Sequence, residues 1–327
     1  MIDLSTTYMG LKLKNPIVVA SCSLGKSVEG ATNCEETGAG AVVLKSLFEE
    51  QIWAEIKNTG QYSGALWHSE AIDYIENMGV ALGPREYLEL IEEAKRTVSI
   101  PVIASLNCVS PEIWVDYTKR IVNAGADAVE LNISLMPSDP KRTAGDIEQV
   151  CYKIVENVRG SIDVPIAVKI GPYFTSVANV VRELFRRGAS ALVLFNRFYQ
   201  LDIDIEKMEL APGYRFSSPH DINVPLRWIS LLAGRIEIDL AASTGTHDSA
   251  GVIKQLLAGA AVVQLCSTLY LNGLGKIGEI LDGLRSWMER KNFESLEQFR
   301  GKMSQSGSDN PELYERLQYA KALVGIE

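Results

Sequence analysis

The sequence predicts one α/β domain folded as a (β/α)8 barrel, and three observations predict it. A degenerate Gly-Ala-x-Ala segment occurs four times, each copy leading into an apolar run. Four further apolar runs, three of them announced by proline, alternate with those copies. Amphipathic stretches such as residues 114–123 separate the runs. Near-continuous apolar strands alternating with helices require a parallel sheet covered on both faces, and eight such units close into a barrel. An open doubly wound sheet is the competing topology, but no GxGxxG follows the first strand.

Taken in order, the first strand is residues 15–20, opened by Asn15-Pro16. Proline is tolerated there because no ladder donor is lost at a strand's first residue. The second, residues 41–44, follows Gly38-Ala39, which reads as a helix ended by a left-handed glycine and a two-residue turn. Strands three (100–105) and five (164–169) repeat the proline signal. Strands four (128–131), six (191–194) and eight (262–265) repeat the glycine signal through Gly125, Gly188 and Gly259. Strand seven, 236–241, has no proline. Two connections, 47–95 after strand two and 197–234 after strand six, are too long for a plain helix. Both fall on the C-terminal face, where binding loops belong. Residues 276–291 read as an amphipathic helix, and the expected division is a barrel over 1–303 with a helical tail over 304–327.

The 327 residues are 46% hydrophobic and carry a formal charge of −9, so no general positive field attracts nucleic acid or anionic lipid. A small-molecule partner is expected. Five scattered cysteines with no CxxC pair argue against a disulfide framework or a metal site and fit reduced thiols. No signal peptide and no apolar run of membrane-spanning length is visible, and a cytoplasmic location is expected.

Activity in a barrel sits at the C-terminal strand ends. Those ends carry Ala20-Ser21-Cys22, Lys45-Ser46, Ser105-Leu106-Asn107, Asn132-Ile133-Ser134, Lys169, Phe195-Asn196-Arg197, Ser243-Thr244-Gly245-Thr246 and Cys266-Ser267-Thr268. Lys45 and Lys169 would push an ammonium into the barrel mouth, which suits a phosphate, a Schiff base or an anionic ring. The bland reading has both snorkel to solvent. Asn107, Asn132 and Asn196 offer uncharged donors and acceptors that suit a planar heterocycle. The hydroxyl-rich segment 243–248 opens a helix, and with 266–268 it matches a phosphate cradle after strands seven and eight.

These residues resemble the dihydroorotate dehydrogenase family, nearest its soluble class 1 members. The resemblance runs through Leu11-Lys12-Leu13-Lys14-Asn15-Pro16, Ala20-Ser21, Leu44-Lys45-Ser46, Glu130-Leu131-Asn132-Ile133-Ser134 and Val168-Lys169-Ile170-Gly171-Pro172-Tyr173-Phe174, and into the segment 292–302. It implies FMN in the barrel mouth and hydride transfer to flavin N5 from dihydroorotate or a related pyrimidine. Ala20, Ser21, Lys45, Ser46, Ser105, Asn107, Asn132, Lys169 and Phe195 would contact the flavin, and Thr244, Gly245, Cys266 and Ser267 its phosphate. Lys169 would stabilise negative charge on the reduced ring. Asn77, Met78 and Gly79, with Asn132, Asn196 and Arg197, would bind the substrate. A homodimer, and a separate electron-transfer partner, are further implications.

The chain departs from the family where strand four continues. A cysteine or serine removes the substrate proton there in the family, whereas Leu135 or Met136 stands at that position here. The candidate catalytic groups are therefore Ser134, Ser138 and Lys45. Two alternatives stay open: reduction of another carbon–carbon double bond, with Arg197 taking a distinct acid, or an FMN-binding barrel without chemistry. No metal site is expected.

Overall fold

The computed structural model describes residues 2–58, 83–111, 113–197, 201–212 and 216–324. Thr6–Tyr8 (β1) and Leu11–Leu13 (β2) form an antiparallel hairpin. Then follow Ile17–Val19 (β3), Val28–Glu36 (α1), Ala41–Val43 (β4), Leu47–Phe48 (β5), Glu49–Asn58 (α2), Pro84–Thr97 (α3), Val102–Cys108 (β6) and Trp114–Asn123 (α4). The next elements are Ala128–Ile133 (β7), Ala144–Arg159 (α5), Ile166–Ile170 (β8), Val177–Arg186 (α6) and Ala191–Leu194 (β9). A second hairpin, Leu201–Asp204 (β10) and Glu209–Pro212 (β11), leads to Asn223–Leu232 (α7) and Asp239–Ser243 (β12). Ser249–Ala258 (α8), Val262–Leu265 (β13), Ser267–Asn272 (α9), Lys276–Lys291 (α10) and Tyr314–Val324 (α11) complete the chain.

Eight parallel strands run β3, β4, β6, β7, β8, β9, β12 and β13, and β13 pairs back onto β3. The barrel is closed. The four repeat glycines, Gly38, Gly125, Gly188 and Gly259, adopt φ of 102°, 99°, 99° and 115°, which is the left-handed conformation that lets each helix end and turn into its strand. The seventh barrel strand begins at Asp239, later than the expected residue 236. The Ile238 amide instead bonds locally to the Ile236 carbonyl, which keeps that stretch out of the ladder.

Helix α6 shows how the outer ring is specified. Val177, Val180, Val181 and Leu184 are buried at helical spacing, while Arg182 and Arg186 face outward. Truncating Leu184 to alanine would cost about 2–5 kcal/mol. The tail is stitched to α7 and α8 by Met303 and Gln305 amides donating to the Leu257 and Ser230 carbonyls, both at 2.8 Å.

The barrel interior is a separate apolar cluster of small residues. It includes Ala41, Ala128, Ala167, Ala191, Ala241, Val18, Val43, Val193, Val262 and Ile103. The alanines leave room that the first hairpin fills, because Tyr8, Met9 and Leu13 pack into the same cluster. The hairpin thus forms the floor of the barrel.

The expected connections are both elaborated. After β4 comes β5, which extends pairing with β6, then α2. After β9 the hairpin β10–β11 exposes Leu201, Ile203, Ile205, Met208 and Leu210 to solvent.

Candidate active site

Side chains alternate across a strand, so the residue two positions beyond each interior apolar residue also faces the barrel axis. Val18, Val43, Ile103, Ala128, Ala167, Val193, Ala241 and Val262 lead in this way to Ala20, Lys45, Ser105, Glu130, Lys169, Phe195, Ser243 and Gln264. At six of these eight positions, all but Ala20 and Phe195, polarity switches within one such step, roughly 6.6 Å along the strand. Two positions further, Asn107 and Asn132 stand side by side in register on β6 and β7.

The new layer is a network. Lys169 Nζ donates to Gln264 Oε1 at 3.1 Å, and Gln264 Nε2 donates to Glu130 Oε2 at 2.5 Å. Lys169 lies 3.8 Å from Glu130 Oε1, with side chains 8% and 1% exposed. Removing one partner would strand a buried charge, at about 3–5 kcal/mol. Beneath the pair, the buried Tyr8 hydroxyl is pushed well above the ordinary tyrosine range, by burial first and then by Glu130 and Asp239.

Hydroxyls line the neighbouring wall. Ser21, Ser46 and Ser105 form a chain, with Oγ separations of 2.9 and 2.8 Å. Ser105 is itself held through its backbone, because its amide donates to Tyr87 Oη and its carbonyl accepts from it. On the next strands, Asn196 Nδ2 donates to Asn132 Oδ1 at 2.7 Å, and Asn107 Nδ2 donates to Ser134 Oγ at 3.1 Å. Glu49, at the start of α2, accepts from the amides of Val109 and Ser110 and from the Ser110 hydroxyl, so it fixes the turn after β6. Burial raises its carboxyl against those bonds.

A cavity that is open to solvent lies over this layer. Of the residues read from sequence, Ala20, Ser21, Lys169, Phe195, Asn196, Arg197, Thr244, Gly245, Cys266 and Ser267 line it. Lys45, Ser46, Ser105, Asn107, Asn132 and Ser134 stand on the same rim behind the lining. Ser138 is exposed, and its amide bonds back to the Met136 carbonyl. Asn77, Met78 and Gly79 lie outside the described residues.

One corner of the cavity is built for an anion. Gly245 sits at φ 79°, where a Cβ would lie 2.1 Å from the Ile222 amide nitrogen, so only glycine fits. Thr246 Oγ1 is buried there with no hydrogen-bond partner among the described residues. Ser267 Oγ accepts from the Ser217 amide at 3.0 Å, and Ser217 Oγ lies 3.2 Å from His247 Nε2. The α8 start contributes differently from the sequence expectation, because Asp248 already caps the Gly251 amide at 2.8 Å. In the 244–246 turn facing Ser267, Thr244 Oγ1 donates to the Phe195 carbonyl at 2.9 Å and the Gly245 amide to Ser217 Oγ at 3.4 Å, so the group still open to an anion is the Thr246 hydroxyl.

Sequence reading missed Glu130, Gln264 and Ser217, while Thr246 and His247 lay within the 243–248 segment it read as a phosphate cradle. The signal for the first two was available, since each is a polar residue inside an otherwise apolar strand run. Ser217 had no such signal, being brought in by the long connection after β9.

The family described as dihydroorotate dehydrogenase matches residues 3–288. A dihydroorotate dehydrogenase B (NAD(+)) catalytic subunit of Thermoplasma volcanium is 27% identical over 316 residues, covering 92% of this chain and 98% of the relative. The subunit of the same name from Methanosarcina mazei is 28% identical over 303 residues, covering 90% and 93%. That from Pyrococcus furiosus is 26% identical over 298 residues, covering 89% and 96%.

Proposed function

The chain belongs to the dihydroorotate dehydrogenase family of oxidoreductases, and from that premise we propose that it binds FMN and oxidises dihydroorotate or a closely related dihydropyrimidine. The observation that supports the reading best is the buried Lys169–Gln264–Glu130 network, a held cation at the wall of a cavity with an anion cradle at its far corner. The unpartnered Thr246 hydroxyl and the obligatory Gly245 fit the phosphate of a flavin mononucleotide.

When bound, FMN supplies the hydride acceptor. The chain's own residues do the rest. Thr244, Gly245, Cys266 and Ser267 would hold the phosphate, and Lys169 would set a positive charge beside the ring edge where negative charge develops. Gln264 fixes the direction of that ammonium, and Glu130 fixes Gln264. Ala20, Ser21, Lys45, Ser46, Ser105, Asn107 and Phe195 would shape the ring's berth. Asn132 and Asn196 bond to each other, which leaves the Asn132 amide hydrogens and the Asn196 carbonyl for an amide edge of substrate. Arg197, with Asn77, Met78 and Gly79, would meet the substrate's carboxylate.

Proton removal would fall to Ser134, which is half-buried and oriented by Asn107, in preference to the exposed Ser138. Leu135 and Met136 carry no group that accepts a proton. A second reading, an FMN-binding barrel acting on another ring or on none, draws on that one feature.

The exposed apolar hairpin β10–β11 supports association as a homodimer, and relatives named as catalytic subunits support a separate electron-transfer partner. No helix among the described residues is long and apolar enough to cross a membrane, and we infer a cytoplasmic enzyme of pyrimidine biosynthesis. Anaerobic addition of dihydroorotate to the purified yellow protein is expected to bleach the flavin absorbance. Bound flavin that dithionite bleaches and dihydroorotate does not would transfer support to the second reading.

A further inference from the structure

Strands β3 and β13 are parallel neighbours, with Val19 opposite Leu265 and the Ala20 amide donating to the Leu265 carbonyl at 2.9 Å. The segments leaving them therefore run side by side, and each carries a cysteine. Cys266 lines the cavity, and Cys22, on the neighbouring segment, stands near enough that the Cys266 thiol is the largest influence on its own. Tyr270 clamps the two segments together, because its hydroxyl accepts from the Ser23 amide at 2.9 Å and lies 2.5 Å from Ser23 Oγ.

The other three cysteines differ in kind. Cys34, Cys108 and Cys151 are buried, whereas Cys22 and Cys266 are partly accessible. Burial pushes the Cys34 and Cys151 thiols up to about 12, and that of Cys108 well up. Cys22 is lowered to about 7, by the Cys266 contact first, against burial, and then by the Leu24 amide, the Tyr270 hydroxyl and the Lys169 ammonium. Near neutrality one thiol of the pair is a ready nucleophile with a second sulfur in contact.

We propose that Cys22 and Cys266 form a reversible dithiol–disulfide site in the cavity wall, oxidised by small disulfides and shielded from oxidation by an anion bound in the cavity. The Cys22 thiolate attacks one sulfur of the small disulfide RSSR, the S–S bond breaks, and RS⁻ leaves. Cys266 gives up its proton and attacks Cys22 Sγ, which expels a second RS⁻. The two protein thiols are oxidised to one disulfide, and RSSR is reduced to two RSH. A phosphate-bearing ligand would raise the Cys22 thiol towards its ordinary range, because a nearby negative charge disfavours the thiolate. Only this shielding rests on the flavin reading; the disulfide does not.

The test treats the native full-length protein with oxidised glutathione, alkylates the remaining thiols and maps the peptides. Two of the five thiols should be lost, with one crosslink joining Cys22 to Cys266, a mass loss of about 2 Da for the bridge, and full recovery in dithiothreitol. Cys266→Ser should stop at a mixed disulfide on Cys22, and Cys22→Ser should show no crosslink. A crosslink to any other cysteine, or five thiols persisting in folded wild-type protein, overturns the site. FMN should slow the oxidation about fivefold at pH 7 relative to protein stripped of flavin, the effect of a one-unit rise in a thiol that starts at about 7. Equal rates with flavin seen bound by its absorbance would overturn the shielding and leave the flavin reading intact. Equal rates with no flavin bound would overturn both.

Discussion

The network that β7, β8 and β13 build across the barrel and the loop that follows β7 face the same cavity mouth but are built to different standards. In the network, Lys169, Gln264 and Glu130 are buried, mutually bonded and fixed by strands. On the loop, Ser134 has one bond from Asn107, Leu135 is half-buried, and Met136 and Ser138 are exposed. The difference teaches that holding a flavin and removing a proton are separable demands. A cation and a cradle tolerate no displacement in a dry interior, whereas the loop on which we propose the proton acceptor is a rim segment that can be exchanged without unsettling the barrel.

The comparison breaks most visibly at Lys169. Lys169→Ala should cost about 3–5 kcal/mol of stability by leaving Glu130 buried without its cation. It should also weaken flavin binding tenfold to a hundredfold, from roughly 1.5–3 kcal/mol of charge-assisted contact. Denaturant melts and flavin titration measure the two effects. The double variant Lys169→Met with Glu130→Gln should recover stability but not flavin affinity. If both recover, the network is structural only.

Gly245→Ala should come next. The Cβ meets backbone, and the left-handed φ adds about 1 kcal/mol of strain, so flavin content should fall while the barrel still folds. Circular dichroism and the flavin-to-protein absorbance ratio would separate the two. Full flavin occupancy would place the phosphate elsewhere.

On the loop, smaller and opposite effects are expected. Leu135→Cys or Met136→Cys should raise dihydroorotate turnover, most clearly as pH approaches 8.5 where a thiolate forms. Ser134→Ala should lower wild-type turnover, and Ser138→Ala should leave it unchanged. Steady-state rates across pH decide this, and a silent Ser134→Ala would remove Ser134 as the base.

The smallest effect concerns His247. Burial lowers it from 6.5, against the Ser217 contact and the nearby Asp248 and Asp221. Between the lowered value and 6.5 the unfolded chain binds a proton that the folded chain does not, so stability rises with pH through that window and is lost as pH falls. His247→Gln should flatten that slope in thermal melts taken as pH falls below 6.5.

Much of this was legible in the residues. Gly38, Gly125, Gly188 and Gly259 each marked a helix end that the backbone then shows at positive φ, because only glycine enters that region without penalty. Lys169 was legible as an ammonium with nowhere structural to go. Glu130 and Gln264 were hidden by the same apolar runs that revealed their strands. Period-two alternation applied one step beyond Ala128 and Val262 points both at the axis. Ser217 was not legible, and neither was its contact with His247, since a long connection and the 243–248 segment meet only in three dimensions.

The hairpin floor has a consequence for the opposite end of the barrel. Tyr8, Met9 and Leu13 exclude water from the axis below Glu130 and Lys169, so residues ahead of the first barrel strand help set the dielectric in which that ammonium acts. Cleaving, extending or tagging the chain near Thr6 would then alter flavin electrostatics by wetting the barrel from beneath, with every cavity-lining side chain still in place.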